Sequence, residues 1–376
     1  MIDGHAEDRF SAVREEFARN FAERGEVGAA VCVYENGRNV VDLWGGIADP
    51  KTGAAWQRDT IVCMMSVGKA MAAICVLQLI DRGKIELGAP MARYWPEFAQ
   101  AGKAKITVEQ VLGGLAALIY AEHAPPGSMM DWDAQVRALE LQAPVWEPGT
   151  RGAYHSMTAG ILFGELVRRV DGRTFDRYWR EEVANPLGVD YALGLNDDEM
   201  ARVAPMIPNP GSVTLNAIAD PTSKLGKAWR SMPRTPDFFN SDEYRRGVFP
   251  SGNGHGNARA IARVYAALAQ GGTLDGVTIL SSSVIEEART QRWDEICGMT
   301  DRPFRYGLGF MLSKPPLVPF GDNPRAFGQP GAGGALGFAD PERGIAFSFS
   351  PNFMCSGAGL GDRCAALITA TFASVA

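Results

Sequence analysis

Strand-like segments stand at both ends of this 376-residue chain, and helical segments fill its middle. Near the start, two apolar runs flank Asn36-Gly37, a strong signal for a hairpin turn; they cover residues 27–34 and 39–44. Further strand-like runs lie near the end, over residues 307–312, 325–327, 335–339 and 345–350. We therefore expect an α+β fold, in which an antiparallel sheet is built from both chain ends and flanked by helices.

The segments between these strands have the spacing of helices. Apolar residues at three- and four-residue steps predict an amphipathic helix over residues 9–24, and residues 66–82 form a buried helix. Other helical pieces are predicted over 107–113, 132–142, 157–170, 257–270 and 361–372. We interpret 1–83 with 290–376 as a sheet domain and 84–289 as a mainly helical inserted domain. Connections at 121–131 and 207–246 are predicted to cover a site in the crevice between them.

Composition excludes several classes of protein. The net charge is −6, with no basic run interleaved with aromatic residues, so we expect no nucleic-acid partner. No apolar stretch approaches the roughly 18 residues that span a bilayer, and the acidic start lacks a secretory leader, so we expect no membrane association. The six cysteines and four histidines are dispersed, which predicts reduced thiols and no metal site. We expect a cytoplasmic protein, whose oligomeric state the sequence does not give.

One short motif carries nucleophilic chemistry. Ser66-Val67-Gly68-Lys69 is the only Ser-x-x-Lys in the chain, and no Gly-x-Ser-x-Gly elbow is present. Residues three apart share a helix face, so the Lys69 amine can reach the Ser66 hydroxyl. Apolar residues on both sides predict a dry environment, which favours the neutral amine that a base needs. The alternative is a serine that caps the helix and a lysine that pairs with a carboxylate.

Further motifs accompany this pair in a characteristic order. Tyr154-His155-Ser156 follows it, residues 161–188 and 252–259 add longer matches, and a glycine-rich segment covers 328–334. With these motifs the chain resembles the serine β-lactamase superfamily over nearly its whole length, closest to family VIII carboxylesterases and their class C β-lactamase-like relatives. The resemblance implies a β-lactamase/penicillin-binding-protein-like fold and no cofactor. It also implies that Ser66 is acylated, and that Lys69 and Tyr154 share the proton transfers and titrate as a coupled unit.

The third motif departs from its relatives. β-Lactamases have Lys-Thr-Gly there, whereas this chain has Gln329-Pro330-Gly331, and a glutamine has no charge to hold a substrate carboxylate. By resemblance, Gln329 and Gly331 border the substrate. The backbone N–H of Ala332 would be the second oxyanion donor beside that of Ser66.

Two other positions differ from the pattern. Ser156 replaces the asparagine that is usual in these β-lactamases; its hydroxyl either bonds Lys69 or the substrate, or caps the helix that begins at Met157. Gly113-Gly114 lies where relatives carry a Ser-His-x-x-Gly-Leu type of sequence.

The sequence as a whole predicts a serine hydrolase that cleaves small, uncharged carboxylic esters through an acyl-enzyme. An amidase or an acyltransferase on the same Ser-Lys-Tyr site is an alternative, as is a penicillin-binding-like protein that turns over poorly. Four aromatic residues on or next to the two connections either form apolar walls or pin the loops to the core: Trp132, Trp229, Phe238 and Phe239. The acyl chain length and the physiological substrate depend on loop shape, which the sequence does not give.

Overall fold

The computed structural model describes residues 1–316, 318–357 and 359–375. Within them the strands are β1 (Ile2–Ala6), β2 (Gly28–Glu35), β3 (Arg38–Asp49), β4 (Ala54–Ala55), β5 (Val62–Cys63), β6 (Tyr191–Ala192), β7 (His255–Gly256), β8 (Thr273–Leu274), β9 (Val277–Thr278), β10 (Trp293–Ile296), β11 (Pro303–Tyr306), β12 (Met311–Leu312), β13 (Phe327–Pro330), β14 (Leu336–Asp340) and β15 (Ile345–Pro351).

The helices of the same residues are α1 (Ser11–Glu23), α2 (Val67–Asp81), α3 (Val108–Leu112), α4 (Trp132–Leu141), α5 (Thr158–Asp171), α6 (Phe175–Trp179), α7 (Asn185–Leu187), α8 (Asp197–Met200), α9 (Val213–Ala219), α10 (Lys224–Ala228), α11 (Asp242–Arg246), α12 (Ala258–Ala269), α13 (Ser282–Ala288) and α14 (Gly361–Ala373). Short 3₁₀ segments and one π-helical turn, Arg180–Ala184, join some of them.

A large antiparallel sheet joins the two ends of the chain. Its strand order is β1-β3-β2-β15-β14-β13-β12-β11-β10, with β4 paired to β3 at one side. The ends meet where β2 pairs with β15, placing Val33 opposite Phe347. The predicted sheet is confirmed, because β2 near the start of the chain and β15 near its end are hydrogen-bonded neighbours.

Helices cover both faces of this sheet. A Cβ atom at Gly337 in β14 would touch Ile261 and Tyr265 of α12, which shows how closely that helix packs on one face. Phe338, the next residue, points to the opposite face, where its ring stacks on Phe372 of α14. Helix α1 packs beside α14 on that side.

A small three-stranded sheet positions the start of α2. Its order is β5-β7-β6, and β5 leads into the turn that precedes α2. Residues 67–79 of α2 are all buried, among them Lys69, so the helix runs through the interior and packs on α5. A helix that is hydrophobic on all sides is expected at such a place.

Two predicted strands are shorter or shifted. Of the predicted strand 307–312 only Met311–Leu312, β12, forms a strand, because Gly309 adopts a φ of +78° and lies against Ala73 of α2. Of the strand predicted over 325–327, only Phe327 lies in a strand, and it is the first residue of β13. The predictions also omitted β1 and β10, the two edge strands of the sheet.

The segment 207–246, predicted to lack regular structure, contains three short helices. Serine side chains cap α9, α10 and α11 at their N-termini, from Ser212, Ser223 and Ser241. Between residues 84 and 289 the strands are only two residues long, yet α12 packs on the large sheet. The division into domains 1–83 with 290–376 and 84–289 stays a prediction. Among the described residues, no helix has the length and apolar character needed to cross a membrane.

Candidate active site

Ser66 occupies a strained turn between β5 and α2. The preceding residue, Met65, has a φ of +49°, a left-handed conformation that side chains other than glycine seldom adopt. The Met64 N–H donates to the carbonyl oxygen of Gly254 at 2.8 Å, which fixes the chain just before this turn. Such strain persists where the surrounding structure imposes it, and it is concentrated at functional sites. The turn places Ser66 on the wall of a cavity.

Lys69 lies one turn further along α2, in the interior. Its Nζ donates to the Ser66 hydroxyl oxygen at 2.9 Å and to the Ser251 carbonyl oxygen at 2.5 Å. The side chain is fully buried, and no carboxylate pairs with it within the described residues. Burial without a compensating negative charge lowers the pKa of Lys69 well below its usual 10.5. The predicted contact is therefore confirmed, and the amine is held in an environment that favours its neutral form.

Tyr154 closes the site on the other side of Lys69. The Lys69 Nζ lies 5.1 Å from the centre of the Tyr154 ring. The backbone around Tyr154 is held by its N–H, which donates to Cys297 Sγ at 3.2 Å, and by the Gly152 N–H, which donates to Glu295 Oε1 at 2.6 Å. Both partners belong to β10 or follow it directly. Strand β10, which was not predicted from the sequence, thus positions the Tyr154-His155-Ser156 motif.

Burial dominates the ionisation of Tyr154. It raises the pKa of the phenol, and the hydrogen bonds to Ser66 and Gln329 only partly oppose this. The pKa of Lys69 moves in the other direction, so both groups are favoured in their neutral forms. A charged Lys69 would instead lower the pKa of Tyr154 and support a phenolate base. With both groups neutral, Lys69 is the member of the pair that is free to accept a proton, and Tyr154 is a hydroxyl that can relay one.

The glycine-rich segment brings a second backbone N–H to the site. A Cβ atom at Gly331 would lie 2.3 Å from the carbonyl oxygen of Met64, so only glycine allows the end of β13 to approach the turn before Ser66. Gly331 and Ala332 both line the cavity. Within the part of the chain that the structure describes, the N–H groups of Ser66 and Ala332 donate to no protein acceptor. Two free donors are thus available at one cavity wall.

Gln329 lies beside Tyr154 and does not line the cavity. The side chain is fully buried, with its Nε2 3.4 Å from the Tyr154 hydroxyl and 3.1 Å from the Pro330 carbonyl oxygen. Its Oε1 has no hydrogen-bond partner among the described residues. Although we grouped Gln329 with the residues that border the substrate, its contacts are with the tyrosine.

The two residues after Tyr154 have separate contacts. Ser156 lines the cavity, and its hydroxyl oxygen accepts from the Trp229 indole N–H at 3.2 Å. It forms no hydrogen bond with Lys69 or with the start of the helix within the described residues. Helix α5 begins at Thr158 with no side-chain cap. His155 points away, as predicted, and its Nε2 accepts from the Leu118 N–H at 3.2 Å. It thereby anchors the segment in which this chain carries Gly113-Gly114.

The cavity beside Ser66 has a volume of about 350 Å³. Of the two connections predicted to cover it, only 207–246 lines it, through α9, α10 and Trp229. Trp132 packs against Gly164 and donates to Glu165, while Phe238 and Phe239 contact each other and Tyr244. Trp229 is thus a wall, and the other three aromatic side chains fix the covering segments to the core.

One part of the wall was missed entirely. The turn between β10 and β11 brings Met299, Thr300, Asp301 and Arg302 to the cavity. Sequence reasoning had no strand at 293–296, so it could not place this hairpin. The short polar run before Pro303 gives no local signal of its position, which depends on pairing at the edge of the sheet.

The nucleophile, the buried amine and the cavity, carried on this sheet, define a serine hydrolase of the β-lactamase fold. The chain belongs to the Beta-lactamase family, whose pattern it matches over residues 14–363. It is 33% identical over 365 residues to the esterase/beta-lactamase LipL of Mycobacterium tuberculosis, covering 94% of this chain and 84% of that protein.

Solved structures agree with this assignment. A penicillin-binding protein homologue from Caulobacter crescentus is 38% identical, with a TM-score of 0.90 over 100% of both chains. A family VIII carboxylesterase is 36% identical, again with a TM-score of 0.90 over 100% of both chains. The resemblance and the fold predicted from the sequence are both confirmed.

Proposed function

We propose that this protein hydrolyses small carboxylic esters through an acyl-enzyme on Ser66. The observation that carries the proposal is the 2.9 Å contact between the Ser66 hydroxyl and a buried Lys69 amine that lacks a carboxylate partner in the described residues. A serine hydroxyl is a weak nucleophile until an adjacent base takes its proton, and a desolvated lysine is such a base. Similarity to LipL, an esterase/beta-lactamase by name, and to a family VIII carboxylesterase supports the choice of ester.

Acylation follows from these positions. The neutral Lys69 amine takes the proton of Ser66 while Oγ forms a bond to the carbonyl carbon of the ester. The carbonyl oxygen becomes an oxyanion, and the free N–H groups of Ser66 and Ala332 are its donors. The bond to the alcohol then breaks. The departing oxygen takes the Tyr154 proton, and Tyr154 recovers a proton from the Lys69 ammonium.

Deacylation reverses the proton path with water in place of the alcohol. A water molecule gives a proton toward Tyr154 and Lys69 as its oxygen bonds to the acyl carbon. The bond from that carbon to Ser66 Oγ breaks, and the serine takes the proton back. Each turnover consumes one water and releases one acid and one alcohol, so no other reactant is needed.

The cavity favours small substrates. Its volume of about 350 Å³ lies near the lower end of the range of about 300–1,000 Å³ that is usual for ligand sites. Ile218, Leu225 and Trp229 supply an apolar surface above Ser66. An ester with short acyl and alcohol groups fits such a space.

The test is turnover of 4-nitrophenyl butyrate by the wild type and by Ser66→Ala, with circular dichroism to show that both are folded. We expect nitrophenolate release by the wild type and none above background by the variant. Equal release by a folded Ser66→Ala protein would refute the proposal. Added butanol or butylamine separates the alternatives, since an acyltransferase forms the butyl ester or amide in place of butyric acid. A penicillin-binding-like protein releases one equivalent of nitrophenolate and stops.

A further inference from the structure

The hairpin turn between β10 and β11 places a cation in the same cavity as Ser66. Met299, Thr300, Asp301 and Arg302 line it together with apolar residues of α9 and α10. The Cys297 N–H donates to the Arg302 carbonyl oxygen at 2.8 Å, so the turn is closed at its base. Arg302 is partly buried.

The charge of Arg302 is not neutralised by a neighbour. Within residues 1–316, 318–357 and 359–375, its guanidinium has no ion-pair or hydrogen-bond partner, whereas the nearby Arg305 pairs with Asp294 at 3.0 Å. The adjacent acid, Asp301, forms an ion pair with Lys224 at 2.6 Å. Lys224 also donates to the Gly298 carbonyl oxygen at 3.1 Å. With Lys224 and Asp301 cancelling each other, this wall of the cavity carries one positive charge.

A second polar group on the same turn lacks a partner. The Thr300 hydroxyl oxygen is buried and makes no hydrogen bond within the described residues. Native structures seldom leave such groups unpaired without a reason. Thr300 and Arg302 are two residues apart on the turn and both line the cavity, so this hydroxyl lies near a ligand bound at Arg302.

We infer that Arg302, aided by Thr300, recognises a carboxylate on the substrate, away from the ester bond that is cleaved. The inference rests on the proposed function and narrows its substrate to esters that carry a negative charge. A guanidinium presents a planar fork of donors that matches a carboxylate, and its attraction is stronger inside an apolar cavity than in water. From the uncharged Gln329 we expected uncharged esters; in this cavity the charge is supplied by a different segment.

The test compares each anionic ester with its own methyl ester. For a charge on the acyl side the pair is mono-4-nitrophenyl adipate and its methyl ester; for the alcohol side it is 4-acetoxybenzoate and methyl 4-acetoxybenzoate. The readout is the ratio of kcat/KM between the charged and uncharged member of each pair. We expect the wild type to prefer the charged ester in at least one pair, and Arg302→Gln to lower that ratio about tenfold or more.

Matched variants separate this contact from general effects of charge. Arg302→Lys keeps the positive charge and most of the ratio, and Arg305→Gln removes a neighbouring arginine that does not line the cavity and leaves the ratio as in the wild type. Asp301→Asn leaves Lys224 without its acid, so the preference for the anionic ester rises. A wild type without preference in either pair, or a preference that survives Arg302→Gln, would overturn the inference.

The failure of the proposed function has a different signature. If no ester of either pair is hydrolysed, the ester hydrolase assignment fails. Binding of the same esters then still tests whether Arg302 recognises a carboxylate. Calorimetric titration of Ser66→Ala with the same pairs then replaces turnover. Tighter binding of a charged ester, lost in Ser66→Ala/Arg302→Gln, supports the carboxylate site, and equal binding of charged and uncharged esters refutes it.

Discussion

Two buried lysines, Lys69 and Lys103, show what separates a base from a structural cation. Both side chains are fully buried, and both ammonium positions lie over an aromatic ring, at 5.1 Å from Tyr154 and 5.4 Å from Phe98. Burial lowers the pKa of both. Burial and an aromatic neighbour are therefore insufficient to assign chemistry to either residue.

The hydrogen-bond partners make the difference. Lys103 Nζ donates to three carbonyl oxygens, those of Gln100, Glu140 and Gln142, at 2.9, 2.8 and 2.6 Å, which uses all three protons of an ammonium. Burial lowers the pKa of Lys103 to about 8, so it stays charged at neutral pH. Lys69 has one carbonyl and a serine hydroxyl, and the hydroxyl can itself give up a proton. A buried lysine becomes a base where its partner is a proton donor.

The largest effect that this comparison predicts is on catalysis. Lys69→Met should lower kcat for 4-nitrophenyl butyrate at least about 10⁴-fold, because the residues of such a site act as one unit. The protein should remain folded, since methionine fills the same apolar space. Stopped-flow or steady-state release of nitrophenolate measures the loss. Lys103→Met is the control and should keep its activity. A loss of kcat in folded Lys103→Met protein as large as that in Lys69→Met would remove the distinction between the two lysines.

A second change makes the surroundings of Lys69 more like those of Lys103. Tyr154→Phe keeps the ring over the amine and removes only the hydroxyl that relays protons. We expect kcat to fall by about 10²-fold to 10⁴-fold, the usual contribution of a general acid or base. The activity of the variant across pH, compared with that of the wild type, is the measurement. A variant with wild-type kcat would show that Lys69 exchanges protons directly with the alcohol.

Stability should respond in the opposite way to activity. Lys103→Met leaves the carbonyl oxygens of Glu140 and Gln142 without a donor, while that of Gln100 keeps the backbone N–H of residue 103 at 3.1 Å. We expect the free energy of unfolding to fall by about 3 kcal/mol. Lys69→Met removes the donor of a single carbonyl oxygen, that of Ser251, so the free energy of unfolding should fall by less. Urea denaturation of the two variants and the wild type compares them. Equal losses would contradict the different roles assigned to the two lysines.

The smallest effect, taken per pH unit, is a pH dependence of stability. Lys69 has a lowered pKa in the folded protein and its usual pKa of 10.5 when unfolded, so the unfolded chain binds more protons in the window between them. Stability must then rise as pH increases through that window, by up to about 1.4 kcal/mol per pH unit. The difference in unfolding free energy between wild type and Lys69→Met should therefore shift in favour of the wild type from about pH 7 to pH 10. A constant difference would mean that folding leaves the pKa of Lys69 unchanged.

The sequence predicted the catalytic pair better than the walls around it. Ser66 and Lys69 are three residues apart on one helix, so local geometry alone brings them together. Tyr154 came from the resemblance, because its approach to Lys69 depends on how α5 and β10 pack. Ser212, Ser223 and Ser241 carried a readable capping signal for the short helices, which the proline-rich composition of the segment obscured.

Other features had no local signal at all. Gln329 lies beside Tyr154 because β13 pairs with β14 in a particular register, and Arg302 reaches the cavity because β10 pairs with β11. Lys103 stands in an irregular segment between Gly102 and Ala104, where burial of a lysine is not expected from sequence. Contacts within one helical turn were therefore predictable, and contacts set by strand pairing were not.

Intact mass spectrometry during turnover tests the central claim most directly. The wild type is mixed with 4-nitrophenyl butyrate, stopped with acid within the first turnovers, and digested for peptide mapping. A mass increase of one butyryl group on the peptide that contains Ser66, absent from Ser66→Ala, is the predicted result. Nitrophenolate release with the butyryl group on another residue, or undiminished release by Ser66→Ala, would contradict the account.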